Sequence, residues 1–270
     1  MQLRVSETGL AEDLSAVVSV MRWSLIHILL LVMAIVGCGR REPTAVRPQA
    51  DIPTLQPVAT FAITQSIAEA SGLCYHNTRG TLLVVSDDRP DIFEMDLTGR
   101  VLESISTSCT DLEGVALSRG GDTIYVVQER AQLVTALTWQ GTELFSFPVR
   151  VATLENHALE GVAVGDDGDL FVLNEKDPRM LLRYRGRTEV ARREIQEAFD
   201  DLADICYDKD EDCLWIISDE SLKVGKLSKE GALLGEWFIP FSKGEGIAVV
   251  GNNLYVVRDG EPKLYVFAKP

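Results

Sequence analysis

The sequence is poor in histidine and holds no thiolate and histidine cluster of the kind zinc prefers. Three histidines occur in 270 residues, and only His76 and His157 lie past residue 38. A zinc centre built from thiolates and imidazoles is therefore excluded. No Ser-His-Asp set can be assembled, and no Gly-rich loop of the phosphate-cradling kind is present. Positive charge is scarce as well: 26 Lys and Arg stand against 41 Asp and Glu, a formal charge of -15. Phosphate binding needs clustered Lys and Arg, so no nucleic-acid partner is expected. Long apolar runs are missing too. The longest, Trp23 to Val36, has 14 residues, short of the roughly 20 that a membrane-spanning helix needs.

What remains is 46% hydrophobic and 25% charged residues, ordinary values for a globular chain with a sizeable core. The length suits one large domain or two small ones. The acidic surplus suits cation binding or simply solubility.

The apolar run follows Arg22 and ends in Ile35-Val36-Gly37-Cys38. It has the length of a secretory signal core. Its end resembles a bacterial lipobox, which implies cleavage before Cys38, lipidation there and attachment to a membrane. Residues 1–20 carry Glu7, Glu12 and Asp13 where a signal should be basic, so Met21 is the expected start. Residue 39 is Gly, not the Asp associated with inner-membrane retention, and this favours the outer membrane over the plasma membrane. The expected organisation is a signal segment (1–37), a lipidated cysteine with a Pro-containing tether (38–56) and one folded domain (57–270). Past Cys38 the chain keeps 24 basic and 38 acidic residues, so the acidity belongs to the domain.

That domain repeats. Ser71-Gly72, Glu113-Gly114, Glu160-Gly161, Ala203-Asp204 and Glu245-Gly246 each precede a hairpin rich in Val, Ile and aromatics. The second residues of these pairs are spaced 42, 47, 43 and 42 apart. Further strands follow, such as "IFEMDL" and "RVLESI" joined at Thr98-Gly99. Four antiparallel strands in about 42 residues are the signature of a β-propeller blade. The expected fold is all-β, a propeller of five four-stranded blades, with six as the alternative. The last unit lacks a strand, and "VATFAIT" (58–64) has no partner of its own. It is expected to complete the last blade and close the ring, which removes exposed edges. One stretch breaks the pattern: "EVARREIQEAFDDLAD" (189–204) reads as helical.

Topology then places the acids. First strands run parallel to one another around the channel, so Glu113, Glu160 and Glu245 start at one mouth, with Ser71 and Ala203 in the matching places. Second strands return to that mouth and end at Asp87, Glu129, Glu175, Asp219 and Asp259. Crowded carboxylates must share protons or a cation. Oxygen ligands suit Ca²⁺ first and Mg²⁺ second. The candidate metal set is Glu113, Glu160, Glu245, Glu129 and Glu175. The competing reading is structural, with Asp capping turns and Glu-Gly pairs shaping the strand entry. "DKDEDC" (208–213) resembles the start of a calcium loop, lacks its Gly and distant Glu, and is read as a polar turn at the opposite face.

Cys206 and Cys213 flank that turn and are candidates for a cross-strand disulfide; Cys74 and Cys206 hold equivalent positions and also suit small core residues. His157, just before a Glu-Gly pair, is a candidate base or ligand.

The segments "EASGLCY", "TLLVVSDD", "DLEGVAL", "LFVLNEKDP", "LADICYDKDEDCLWIISDES" and "GEGIAV" resemble the SdiA-regulated family over about residues 60–270. The resemblance implies a β-propeller of the bacterial envelope, a link to quorum-sensing regulation without a defined reaction, and calcium at the acidic mouth. The variant fourth unit puts a regular fifth position in doubt. The function expected is a membrane-anchored, cation-dependent module that binds a small ligand or an envelope protein, as a monomer. The alternatives are a metal-dependent lactonase-like or phytase-like hydrolase using Glu113, Glu160 or His157, and a structural interaction protein without metal.

Overall fold

The computed structural model describes residues 51–270, apart from 66, 68, 152–156 and 196–197. The signal segment, Cys38 and the tether up to residue 50 lie outside the described residues.

Five four-stranded antiparallel sheets make up the domain. Blade 1 is β2 (Ala70–His76), β3 (Thr81–Ser86), β4 (Arg89–Met95) and β5 (Val101–Ser106). Blade 2 is β6 (Leu112–Leu117), β7 (Thr123–Gln128), β8 (Leu133–Thr138) and β9 (Glu143–Pro148). Blade 3 is β10 (Leu159–Val164), β11 (Leu170–Asn174), β12 (Met180–Arg185) and β13 (Thr188–Glu194). Blade 4 is β14 (Asp204–Asp208), β15 (Cys213–Ser218), β16 (Lys223–Leu227) and β17 (Leu233–Phe238). Blade 5 is β18 (Gly244–Val250), β19 (Asn253–Arg258) and β20 (Glu261–Ala268), completed on its outer edge by β1 (Pro57–Ala62). The ring is thus a five-bladed propeller closed by the N-terminal strand. Lys269, just past β20, adds an ion pair of 2.7 Å to Asp208 of blade 4.

The near-continuous apolar runs follow from this architecture. Each inner blade lies between two others, so both faces of its strands are buried. Leu82 and Val84 pack with Ala248 and Val257 of blade 5, while Leu83 and Val85 pack with Val115 and Val126 of blade 2. All four β3 side chains are fully buried, and burying each contributes on the order of 1.5–3 kcal/mol. Three further clusters fill the remaining blade interfaces in the same way.

Two expectations fail. Residues 188–194 are the outer strand of blade 3, paired with β12 from Met180↔Glu194 to Arg185↔Thr188. The strand is exposed along nearly its whole length, so its sequence carries charge without the strict alternation of a half-buried strand. Ladder bonds to β12 override its helical composition. The cross-strand disulfide also fails. Register sets Cys206 opposite Trp215 and Cys213 opposite Asp208, and both thiols are free and buried. The hairpin places the two cysteines on different rungs.

Candidate functional site: the acidic mouth

The glycine-containing pairs turn out to be β-bulges. The ladder between first and second strands slips at Ala70/Leu73, Leu112/Gly114, Leu159/Val162 and Gly244/Gly246. The residues left in the slips include Ser71, Glu113, Glu160 and Glu245, re-aimed from the sheet face into the channel mouth. Glycine is required there by close approach. A Cβ on Gly72 would lie 2.5 Å from the Glu113 carbonyl oxygen, and one on Gly114 would meet the Glu160 carbonyl oxygen and lie 2.9 Å from Val162 N. Blade 4 has no slip between its first two strands: that ladder runs unbroken from Asp204↔Ile217 to Asp208↔Cys213.

The second set of acids is held by the backbone. Asp87 N donates to Glu69 O at 3.2 Å, Glu129 N to Asp111 O at 3.1 Å and Asp259 N to Lys243 O at 3.0 Å. These three acceptor residues have left-handed φ values of 48°, 61° and 61°, so the chain turns sharply into each first strand while bonding the acid opposite. Glu175 N donates to Ala158 O at 2.7 Å.

The two sets converge on a cavity of about 450 Å³. All five candidate metal ligands (Glu113, Glu129, Glu160, Glu175 and Glu245) line it, as do Asp87, Asp219 and Asp259. Oxygens of Glu129, Glu160 and Glu175 lie within 4.8 Å of one another, and so do those of Asp87, Asp111 and Glu113. Opposed ligands of one Ca²⁺ ion stand up to about 5 Å apart, so either trio has the donor type and spacing that a hard cation takes. Among the described residues lining the mouth, Lys176 is the one that is basic. Its Nζ is 2.8 Å from Glu175 Oε1 and 3.0 Å from Glu220 Oε1.

The electrostatics match this crowding. Burial, then Asp87, pushes Glu113 up to about 8, although Ser71 hydrogen-bonds it. Burial pushes Glu129 up to about 7 against a hydrogen bond from Ala158 N at 3.4 Å. Burial, then Asp219 and Asp201, pushes Glu245 up to about 8. Glu160 is raised well above the carboxylate range by burial and by Glu113, Glu175, Glu129 and Glu245. Glu175 is raised by burial and held back by Lys176.

Sequence reasoning missed several residues. Glu69, Asp201 and Glu220 also line the mouth. Asp201 is buried, accepting from Ser218 Oγ and, at 3.1 Å, from Glu220 N. Asp204 stands in for a glycine. Its buried carboxylate reaches across the channel, and Oδ2 accepts from Leu73 N at 3.1 Å and Ile247 N at 2.9 Å. Those N–H groups each follow a bulge glycine of blades 1 and 5. The signal was the departure from Glu-Gly in the fourth unit, masked by the helical look of "DDLAD".

His157 does not line the mouth. Its Nδ1 is 2.8 Å from Asp177 Oδ2. At the opposite face, Asp208, Glu211 and Cys213 lie close enough for a metal, but Lys226 and Lys269 neutralise the two carboxylates.

Comparison with solved structures supports the fold. Glutaminyl cyclase of Myxococcus xanthus is 12% identical with a TM-score of 0.64, covering 79% of this chain and 95% of that one. A gluconolactonase of Xanthomonas campestris is 12% identical with a TM-score of 0.53, covering 82% and 96%. A chain of the nidogen/laminin complex is 17% identical with a TM-score of 0.53, covering 71% and 73%. At such identities the likeness concerns architecture alone. Sequence evidence goes further: the model of the SdiA-regulated family matches residues 57–192 and 184–268. With the bulged Glu-Gly units and the five-bladed ring inside the matched region, the chain belongs to the SdiA-regulated family.

Proposed function

We propose that the acidic mouth binds a divalent cation, Ca²⁺ in preference to Mg²⁺, and that the domain is a cation-dependent binding module of the cell envelope, held to a membrane by lipid at Cys38. The observation that carries this reading is the Glu129–Glu160–Glu175 trio, whose oxygens lie within 4.8 Å of one another. Glu113 and Glu245 stand on the adjoining rim. A cation there relieves the mutual repulsion that otherwise forces these groups to hold protons. The all-oxygen donor set favours Ca²⁺. With the ion bound, the rest of the mouth is available to a small ligand or an envelope protein. The module works as a monomer on the outer membrane.

A second reading, a metal-dependent hydrolase, is favoured by one feature. Glu113, Glu129 and Glu245 titrate at about 8, 7 and 8, near the pH where a carboxyl serves as general acid or base. The gluconolactonase shares the fold.

Metal analysis of the purified protein and its melting temperature with and without chelator test the first reading. Bound calcium and a drop in melting temperature on chelation support it; no metal and no shift overturn it. Calcium-dependent lactone or phosphate-ester turnover, lost in Glu160→Gln, would select the second.

A further inference from the structure

The channel has a second mouth, less acidic and more apolar than the first. First strands run from the acidic mouth to the far face, where their hairpin turns surround a cavity of about 530 Å³. Ligand pockets commonly fall in the range of roughly 300–1,000 Å³. Each blade contributes the residue three past its glycine position: Tyr75, Leu117, Val164, Tyr207 and Val249. All five are only part-buried, so an apolar belt faces water inside a concavity. One position earlier, four blades present Cys74, Ala116, Ala163 and Cys206, small side chains that leave room.

Polar groups line it as well, among them Lys209 and three acids, Asp166, Asp208 and Asp210; Asp208 is neutralised by Lys269. Tyr207 hydroxyl donates to Asp212 Oδ1 at 2.6 Å, which fixes its ring in the wall. Arg119 at the rim is engaged by Asp166, 3.5 Å away. Tyr75 and the exposed Lys209 are among the lining residues, and neither the Tyr75 hydroxyl nor the Lys209 ammonium has a hydrogen-bond partner among the described residues. Deep in the channel, Asp204 ties blade 4 to blades 1 and 5, and no described residue lines both mouths.

We infer that this far mouth is a second binding site, for an amphipathic small molecule with an aromatic or aliphatic body and one hydrogen-bond-accepting head. The body lies between Tyr75 and Tyr207 against Leu117, Val164 and Val249. The head, a carbonyl or carboxylate, takes hydrogen bonds from Lys209 and the Tyr75 hydroxyl. The site owes nothing to the carboxylates of the acidic mouth, so the molecule has a cation face and an amphiphile face.

Two fluorescent probes with the same aromatic body test this: uncharged N-phenyl-1-naphthylamine and anionic 1-anilinonaphthalene-8-sulfonate, titrated into the full-length protein. Saturable one-to-one binding of both is expected, tighter for the sulfonate. Leu117→Arg buries a charge in the apolar wall and should weaken both by about tenfold or more. Lys209→Ala should remove the advantage of the sulfonate. Leu102→Arg, on an exposed outer strand, should change neither titration. If Leu117→Arg does not fold by circular dichroism, Val249→Arg takes its place. Absence of saturable binding overturns the inference. So does equal binding by wild type and the folded wall variant.

Discussion

Raising the pH from 5 to 8 should destabilise the protein when no metal is present. Glu113 and Glu129 are 9% and 6% exposed, and their carboxyls titrate at about 8 and about 7 instead of the usual 4.5. A carboxyl whose pKa is raised by folding binds its proton more tightly in the native state. Its contribution is fully present below the unfolded pKa and is lost as pH rises through the folded one. The window therefore runs from about 4.5 to about 8. At 1.36 kcal/mol per unit, between pH 5 and 8 Glu129 alone loses about 3 kcal/mol and Glu113 alone about 4. The two are neighbours and share repulsive partners, so the losses overlap rather than add. A net loss of about 3–5 kcal/mol corresponds to a melting temperature lower by on the order of 10 °C for a domain of this size. The assay is thermal melting in chelator from pH 5 to 8. Saturating Ca²⁺ should restore most of the loss at pH 8 and do little at pH 5, where protons already occupy the carboxylates. Glu113→Gln with Glu129→Gln should flatten the profile. A melting temperature that holds steady or rises from pH 5 to 8 in chelator would refute the reasoning.

Two further outcomes follow from the channel. Gly114→Ala places a Cβ against the Glu160 carbonyl and 2.9 Å from Val162 N; both are backbone, so a loss on the order of 4 kcal/mol or more is expected by denaturant melting. Asp204→Ala leaves Leu73 N and Ile247 N unpaired in the channel and should cost about 2–5 kcal/mol. Asp204→Asn keeps an acceptor oxygen and should cost less than half of that in the same assay.

The repeat made the ring legible. Two-faced burial yields runs such as Thr81–Val85, and the spacing of Glu-Gly pairs marks each first strand. An unpaired "VATFAIT" was enough to place the closing strand. The acids at both strand ends were also readable, because strand polarity alone brings Glu113 and Glu129 to one face. The mechanism that turns Glu113 inward was not readable: a bulge is a slip in pairing, visible only when both strands are seen. The reason for the missing Glu in blade 4 lay equally out of sight. Asp204 works there by reaching partners 131 and 43 residues away, which local pattern cannot reveal. Residues 188–194 were misread because an outer strand exposed on both faces has no hydrophobic period to report. Cys206 and Cys213 lie near each other in sequence, but register depends on where the hairpin tightens. The chain turns tightly enough to pair Asp208 with Cys213.

Calorimetric titration of Ca²⁺ into the chelator-treated protein at pH 7, in two buffers of different ionisation enthalpy, tests the central claim most directly. Saturable binding with proton release is predicted, because the cation displaces protons from carboxyls titrating at about 7 and 8. Glu160→Gln should weaken binding and reduce the protons released. Absence of binding heat, or binding identical in both buffers and in Glu160→Gln, would contradict the account.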